Sequence, residues 1–473
     1  MTLPVSLPDT ENADSRSDVA VLDTIGKTPQ FWDRNVIFFA NLLGLFFGNE
    51  EQTQMLSDEV GEVDSYGGRL LPILDLVYPG KGENLLILER APDDDLVEYF
   101  SETAGLSLPE MEILSHPDYL KLGEELSGNA DSEIDFIYRI CEHSAEFVDG
   151  YVTDSILSAV ARKSGKQTIS SHEGSRFGNN KWMLHSFIEE QGLPFPATEI
   201  VESAEGISKG LGSLRQRGFS AAVVRAPLGA SGIGMIKIPD LADCDEIARS
   251  VPRHFFTEGP CLVQGWLSPG EFGVTEVRSP SVQLFLRESE VAMYDITEQI
   301  LSKASIHEGN ESPPRYLEEN NGLREELLRQ AGIAGGWLYR QGYRGTASVD
   351  FLVAWTEGGA FTVYICEINA RVTGATYPSV LARHFLPEGS WLLRNLRFDE
   401  PVTGKGVLDL LGASGDLFVP GQSEFGVFPV NFNFGKDGLV HKGQFLCLAS
   451  SPRQSKLLLR MAEFDLPCRI DRD

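Results

Sequence analysis

Apolar and polar positions alternate most regularly between Thr346 and Ser379, TASVDFLVAWTEGGAFTVYICEINARVTGATYPS. Two period-two runs flank Gly358-Gly359, the dipeptide signal for a tight hairpin between strands. A turn centred on that pair sets Asp350 opposite Glu367. Two carboxylates facing each other on one sheet repel, an arrangement tolerated chiefly where a cation sits between them. The same alternation brings Asn369 and Arg371 to the side of Glu367. Two carboxylates and an amide oxygen suit Mg²⁺ shared with phosphate oxygens, and a guanidinium suits a phosphate or a carboxylate.

Upstream, Asn35 to Ala40 is a continuous apolar run, followed by Asn84 to Leu88, a helical pattern from Asp93 to Ala104, and Met111 to Leu114. Val148 to Ile169 adds a strand, a helix and a strand. Such alternation predicts a mostly parallel α/β layer. The glycines at 44 and 48 lack the spacing of a dinucleotide fingerprint. Asn179 to Pro196 predicts an amphipathic helix stopped by Gly192 and two prolines. Lys181 opens that helix, where the macrodipole disfavours a cation, a conflict that a bound anion would remove. Ala221 to Ile238 reads as strand, glycine-rich turn and strand. Gly229, Ser231, Gly232 and Gly234 offer backbone N–H groups and little bulk, as a loop over a polyphosphate requires. The spacing of a P-loop is missing.

Between Tyr294 and Arg344 the sequence reads as an insertion. Lys303, His307 and Asn310 lie in a Gly/Pro-interrupted loop, followed by an amphipathic run from Asn321 to Gln341. Beyond a helix at Val380 to Phe385 comes a last unit of about eighty residues, with strands near Phe425 to Phe434 and Gly443 to Ala449 and a helix at Gln454 to Glu463. No internal repeat interrupts this order.

Composition narrows the classes. At 473 residues the chain predicts several packed units, and 42% hydrophobic residues fit an ordinary globular protein. The formal charge of −29 argues against nucleic acid or an anionic membrane as partner. Cys141, Cys244, Cys261, Cys366, Cys447 and Cys468 show neither CxxC pairs nor zinc spacing, which fits reduced thiols in a cytoplasmic protein. Residues 1–30 read as a flexible tail without the signature of a signal peptide. The most apolar window, Val36 to Phe47, is too short to span a bilayer.

The stretch around Asp350 resembles the metal-binding hairpin of the ATP-grasp ligases, in which an Asp on one strand and Glu-x-Asn on the next hold Mg²⁺ against ATP. The resemblance implies an ATP-grasp fold, α/β and α+β, with two lobes gripping ATP behind a pre-ATP-grasp α/β domain like that of the pheganomycin-type peptide ligases. It divides the chain into a tail (1–30), a pre-ATP-grasp domain (31–176), a small lobe (177–260), a large lobe (261–385) and a small C-terminal domain (386–473). Asp350, Glu367 and Asn369 become metal ligands, and Arg371 falls near the transferred phosphate as the catalytic residue. Lys181 and Arg225 would meet nucleotide phosphates, Arg225 standing where the family usually has Lys. Gly229, Ser231 and Gly232 would cover the phosphates. Gln264, Trp266 and Leu267 would hold adenine, and Glu271 the ribose. Lys303, His307 and Arg344 are candidate substrate contacts. The implied cofactors are ATP and Mg²⁺. The implied reaction joins a carboxylate to an amine through an acyl phosphate, with small amino acid or peptide substrates. Phosphotransfer to a hydroxyl and ATP binding without turnover remain the alternatives.

Overall fold

Val36–Phe39 and Leu85–Leu88 are buried at every position, as strands covered on both faces must be. In the computed structural model, which describes residues 19–27, 33–60, 65–127, 135–230, 232–243, 249–301 and 307–468, they sit inside a five-stranded sheet. Its order is Glu110–Ile113, Leu85–Leu88, Val36–Phe39, Phe147–Gly150 and Gln167–Thr168, with every pairing parallel. The connecting helix Ser155–Ser164 begins where the Asp154 carboxylate accepts from Leu157 N and ends at Gly165. The strands and helices expected for this part of the chain are present.

A second sheet of four strands runs Thr198–Val201, Cys261–Gly265, Ala222–Ala230 and Ile233–Ile238, all antiparallel. Its last two strands are the expected glycine hairpin. A Cβ on Gly229 would lie 2.6 Å from the Ile233 carbonyl oxygen, and Gly232 takes a φ of +86°, so both positions need glycine. Helix Glu50–Val60, from the N-terminal part of the chain, docks on this hairpin. Its Gln52, only 1% exposed, donates from Nε2 to Leu228 O at 3.1 Å.

The third sheet has ten strands and carries the polar face. Its centre orders Val274–Arg278, Gly345–Thr356, Pro280–Leu286, Glu290–Leu301 and His307–Ser312, with Phe361–Asn369 on the other side of Gly345–Thr356. Helix Asn321–Arg340 packs on its apolar side through Leu323, Leu327, Ala331 and Leu338. Helix Thr376–Phe385 is pinned to the sheet by a buried ion pair. Arg383 and Asp295 lie 2.9 Å apart, and Asp295 also accepts from Ser312 Oγ and the Trp391 indole N–H.

Three expectations are corrected here. The first part of the segment read as an insertion carries two strands of the sheet. Glu290–Leu301 and His307–Ser312 pair antiparallel inside the sheet, the first being buried from Val291 to Glu298 as a strand covered on both faces must be. Ala20–Asp23, placed in the tail, is a strand that pairs in parallel with Glu290 to Met293 and is held at its end by an Asp23–Arg324 ion pair of 2.9 Å. The strands expected in the last unit have no sheet of their own. Ser390–Val402, Val440–Ala449 and Gly426–Phe434 continue the ten-stranded sheet from His307–Ser312 outward.

Candidate active site

The hairpin that carries the carboxylates closes differently from the expected two-residue turn. Thr356 N donates to Ala360 O and Gly359 N to Thr356 O, so Glu357, Gly358 and Gly359 form the loop. That turn alone would put Asp350 one residue out of step with Glu367. A bulge between the Asp350 and Phe351 pairings restores the register, and Asp350 faces Glu367 as expected.

The two neighbouring strands complete the face. Asp350 lies beside Ser281 on one side and Glu367 on the other. Its Oδ1 accepts from Ser281 Oγ at 2.7 Å and Ser348 Oγ at 3.2 Å, and its Oδ2 accepts from Gln299 Nε2 at 3.0 Å and Asn369 Nδ2 at 2.9 Å. Ser348 is two residues before Asp350, so alternation could have found it. Ser281 and Gln299 reach the site only through sheet order, which a single sequence does not carry. Burial and the neighbouring Glu367 push the Asp350 carboxyl up to about 6.

Glu367 has opposite surroundings. Its Oε2 receives Lys181 Nζ at 3.0 Å and Arg225 at 2.6 Å. Burial would raise its pKa, but Lys181 and Arg225 outweigh that and hold it down at about 2. The Lys181 conflict at the helix start is thereby eased by a carboxylate of the protein itself. The Asn180 side chain caps that helix by accepting from Trp182 N and Met183 N, while Lys181 Nζ also donates to Gly229 O at 3.1 Å. The lysine therefore touches both the hairpin and the glycine loop. Arg371 donates to Asn369 Oδ1 and, at 3.0 Å, to Asn179 Oδ1, a second partner that sequence reading missed.

Other expected nucleotide contacts border this centre. Gln264 bridges two elements, donating to Thr198 Oγ1 at 3.0 Å and accepting from Arg225 at 3.3 Å. Its carbonyl is thus engaged by Arg225, where an adenine amino group was expected. Trp266 lies under Lys237, whose Nζ is 4.0 Å from the ring centroid, and Leu267 packs toward Val274 and Tyr364. Glu271 has a buried Oε2 without a hydrogen-bond partner. Ser231 and Lys303 lie outside the described residues. His307 begins strand His307–Ser312 instead of lying in a loop. Arg344 is not brought into the site. Its guanidinium lies 3.4 Å from the Tyr339 ring centroid and donates to the Tyr339 and Tyr343 carbonyls.

A cleft of about 260 Å³ opens beside the carboxylates. Asp350, Glu367, Asn369 and Arg371 line one end, and Leu42, Leu45, Leu56 and Arg69 from the N-terminal part of the chain line the other. The donor set fits Mg²⁺: Asp350, Glu367 and the Asn369 amide supply hard oxygens only, and this ion is commonly held by one or two carboxylates with phosphates and waters. Among the described residues no group of three or more His, Cys, Asp or Glu forms a softer or denser metal site.

Three sheets in this order, with a glycine hairpin and a carboxylate-bearing face beside one cleft, make up an ATP-grasp fold preceded by an N-terminal parallel α/β sheet. Its fold matches that of the biotin carboxylase from Campylobacter jejuni in complex with β,γ-ATP, with a TM-score of 0.58, 14% identity and coverage of 92% of both chains. It also matches an N5-carboxyaminoimidazole ribonucleotide synthetase in complex with ADP, with a TM-score of 0.54, 14% identity and coverage of 92% of this chain and 97% of the other. In sequence the chain is similar to the [butirosin acyl-carrier protein]–L-glutamate ligase of Niallia circulans, 29% identical over 227 residues. That alignment takes in 47% of this chain and 51% of the relative, so the chain spans about half the length of the curated relative it matches. No family model matches the chain. Among the described residues no helix is long and apolar enough to cross a membrane.

Proposed function

We propose that the protein is an ATP-dependent carboxylate–amine ligase that forms an amide bond through an acyl phosphate, in the manner of the pheganomycin-type peptide ligases. One observation carries this reading: three cations, Lys181, Arg225 and Arg371, converge on the face that bears Asp350, Glu367 and Asn369. Phosphoryl transfer requires little covalent chemistry from a protein and much positioning and charge neutralisation, which is what such a face supplies.

Asp350, Glu367 and Asn369 would hold Mg²⁺, which when bound neutralises charge on the β- and γ-phosphates. Lys181 and Arg225 would turn from Glu367 toward the nucleotide phosphates, with the Gly229 to Gly234 hairpin closing over them. Glu271, with its buried unpartnered oxygen, is available to a ribose hydroxyl. Arg371 would orient the acid so that a carboxylate oxygen attacks the γ-phosphorus and ADP leaves. An amine then attacks the acyl carbon, phosphate departs, and the amine proton passes to solvent. No side chain of the protein needs to act as a nucleophile.

ADP release with Mg-ATP over a panel of amino acids and short peptides tests this, with mass spectrometry of the products and hydroxylamine as a trap. A hydroxamate with hydroxylamine and a dehydrated conjugate without it are expected. A stable phosphorylated product would replace this reading with phosphotransfer, and ATP binding without ADP release in any mixture would sink both.

A further inference from the structure

The cleft beside Asp350 has two chemically distinct ends. Near the sheet it is polar, lined by the carboxylates, Arg371, Gln299 and Asn310. The opposite wall belongs to the N-terminal α/β domain. Leu42 and Leu45 come from the turn of helix Leu42–Phe46 that follows strand Val36–Phe39, and Leu56 comes from helix Glu50–Val60. Leu45 and Leu56 are each 3% exposed and belong to a core that also takes in Leu228, Phe285 and Trp391 from the other two sheets, so this wall is backed by packed structure. Leu42 is half-buried and packs against the same core. Arg69 also borders the cleft, with its guanidinium 5.4 Å from the Tyr377 ring centroid.

Size adds a bound. The 260 Å³ of the cleft must also take the phosphates and Mg²⁺ that the ligase reading puts against Asp350, Glu367 and Asn369, so the room left for the acid is small. Polarity adds another. A cationic side chain turned toward the three leucines and Arg69 would lose its hydration without a partner there, an acidic one would meet only a guanidinium already placed over the Tyr377 ring, and an apolar one would gain by leaving water.

We propose that Leu42, Leu45 and Leu56 form the side-chain pocket for the acid, and that the acid is a single carboxylic acid of amino-acid size with an aliphatic side chain. The inference rests on the ligase reading, because that reading puts the activated carboxylate at Arg371. The three leucines come from a domain that contributes none of the groups assigned to the nucleotide, so substrate choice and phosphoryl chemistry are carried by different parts of the chain.

The test uses the full chain with Mg²⁺ and a non-hydrolysable ATP analogue, titrated in a calorimeter with leucine, phenylalanine, glutamate and lysine, alongside ADP-release assays with the same acids and ATP. Leucine should bind at least about tenfold more tightly than glutamate or lysine. Leu42→Ala should widen the pocket and move the preference from leucine to phenylalanine, a shift that a merely structural role would not give. Leu42→Asn should narrow the leucine-to-glutamate ratio to within about threefold, with a melting curve as the check on folding. Glutamate or lysine binding as tightly as leucine overturns the inference, as does an unchanged preference in a folded Leu42→Ala protein or no binding of any of the four acids. The ligase reading fails separately. ADP release with glutamate and not with leucine leaves it standing while the leucine pocket falls, and leucine binding without ADP release in any amine mixture does the reverse.

Discussion

Replacing Glu367 with glutamine removes one charge and almost no volume, yet its neighbours make it costly. Lys181 Nζ and the Arg225 guanidinium meet on one Glu367 oxygen, at 3.0 Å and 2.6 Å, and the lysine is only 8% exposed. Without the carboxylate, two cations face each other with little water between them. Removing one partner of a buried pair costs about 3–5 kcal/mol. At roughly 2.1 cal/mol/K per residue, a chain of 473 residues has an unfolding entropy of about 1 kcal/mol/K. The nucleotide-free Glu367→Gln protein should therefore melt about 3–5 °C below the parent. A triphosphate brings back the missing negative charge, so ATP should recover much of that loss. Binding should also depend less on Mg²⁺, since the cations no longer have to be drawn from Glu367 and one metal ligand is gone. Turnover should fall by at least about 10²-fold, the scale seen when one preorganised electrostatic group is removed. Melting curves with and without ATP, and calorimetry of ATP with Mg²⁺ or with EDTA, measure each part. An unchanged melting temperature without nucleotide would refute the electrostatic argument, and unchanged turnover would make the hairpin structural.

Three further outcomes are expected. Asp295→Asn leaves Arg383 buried without its charge partner and should cost about 3–5 kcal/mol by chemical denaturation, against less than 1 kcal/mol if the pair is inert. Gln52→Leu removes the hydrogen bond to Leu228 O and should cost about 1 kcal/mol while raising the KM for ATP several-fold, because the glycine hairpin loses its tether; a KM equal to that of the parent argues against the tether. Burial pushes the Asp149 carboxyl up to about 7, above the value near 3.9 of an unfolded chain, so its stabilising contribution is complete below about pH 4 and is lost as the pH rises through 7. Asp149→Asn, still able to accept from Tyr78, should then raise the melting temperature more at pH 8 than at pH 5, and equal changes at both would contradict the assignment.

Local pattern carried much of the molecule. Continuous apolar runs disclosed the parallel strands, and period two carried Asp350, Glu367, Asn369 and Arg371 to one face. The turn was misjudged, and the facing of Asp350 and Glu367 survived because a bulge compensates for the longer loop. Partners from distant strands stayed out of reach. Ser281 and Gln299 touch Asp350 only because their strands lie beside its own, and Leu42 or Leu56 reach the cleft only through domain packing. Arg344 is a candidate substrate contact on sequence grounds, but a tyrosine ring and two carbonyls nearby in the chain take it up. Between Tyr294 and Arg344 the sequence reads as an insertion with a loop around His307 and Asn310, because Gly309, Pro313 and Pro314 interrupt it, whereas His307–Ser312 finds a partner in Glu290–Leu301 that only the sheet order discloses.

The strand Ala20–Asp23 has a consequence for how the protein is made. Its partners, Glu290 to Met293, follow 270 residues later. At about 5–20 residues per second on the ribosome, the early strand waits roughly 15–50 s before its partner strand exists. Half-exposed Val21 and Leu22 spend that interval uncovered, and so, afterwards, does the free flank of Glu290 to Met293 until the two meet. Neighbouring ribosomes on one message hold several such halves close together. The same segment from an adjacent nascent chain satisfies the flank equally well, so exchange of this strand between chains is the assembly error this topology invites during synthesis at high expression.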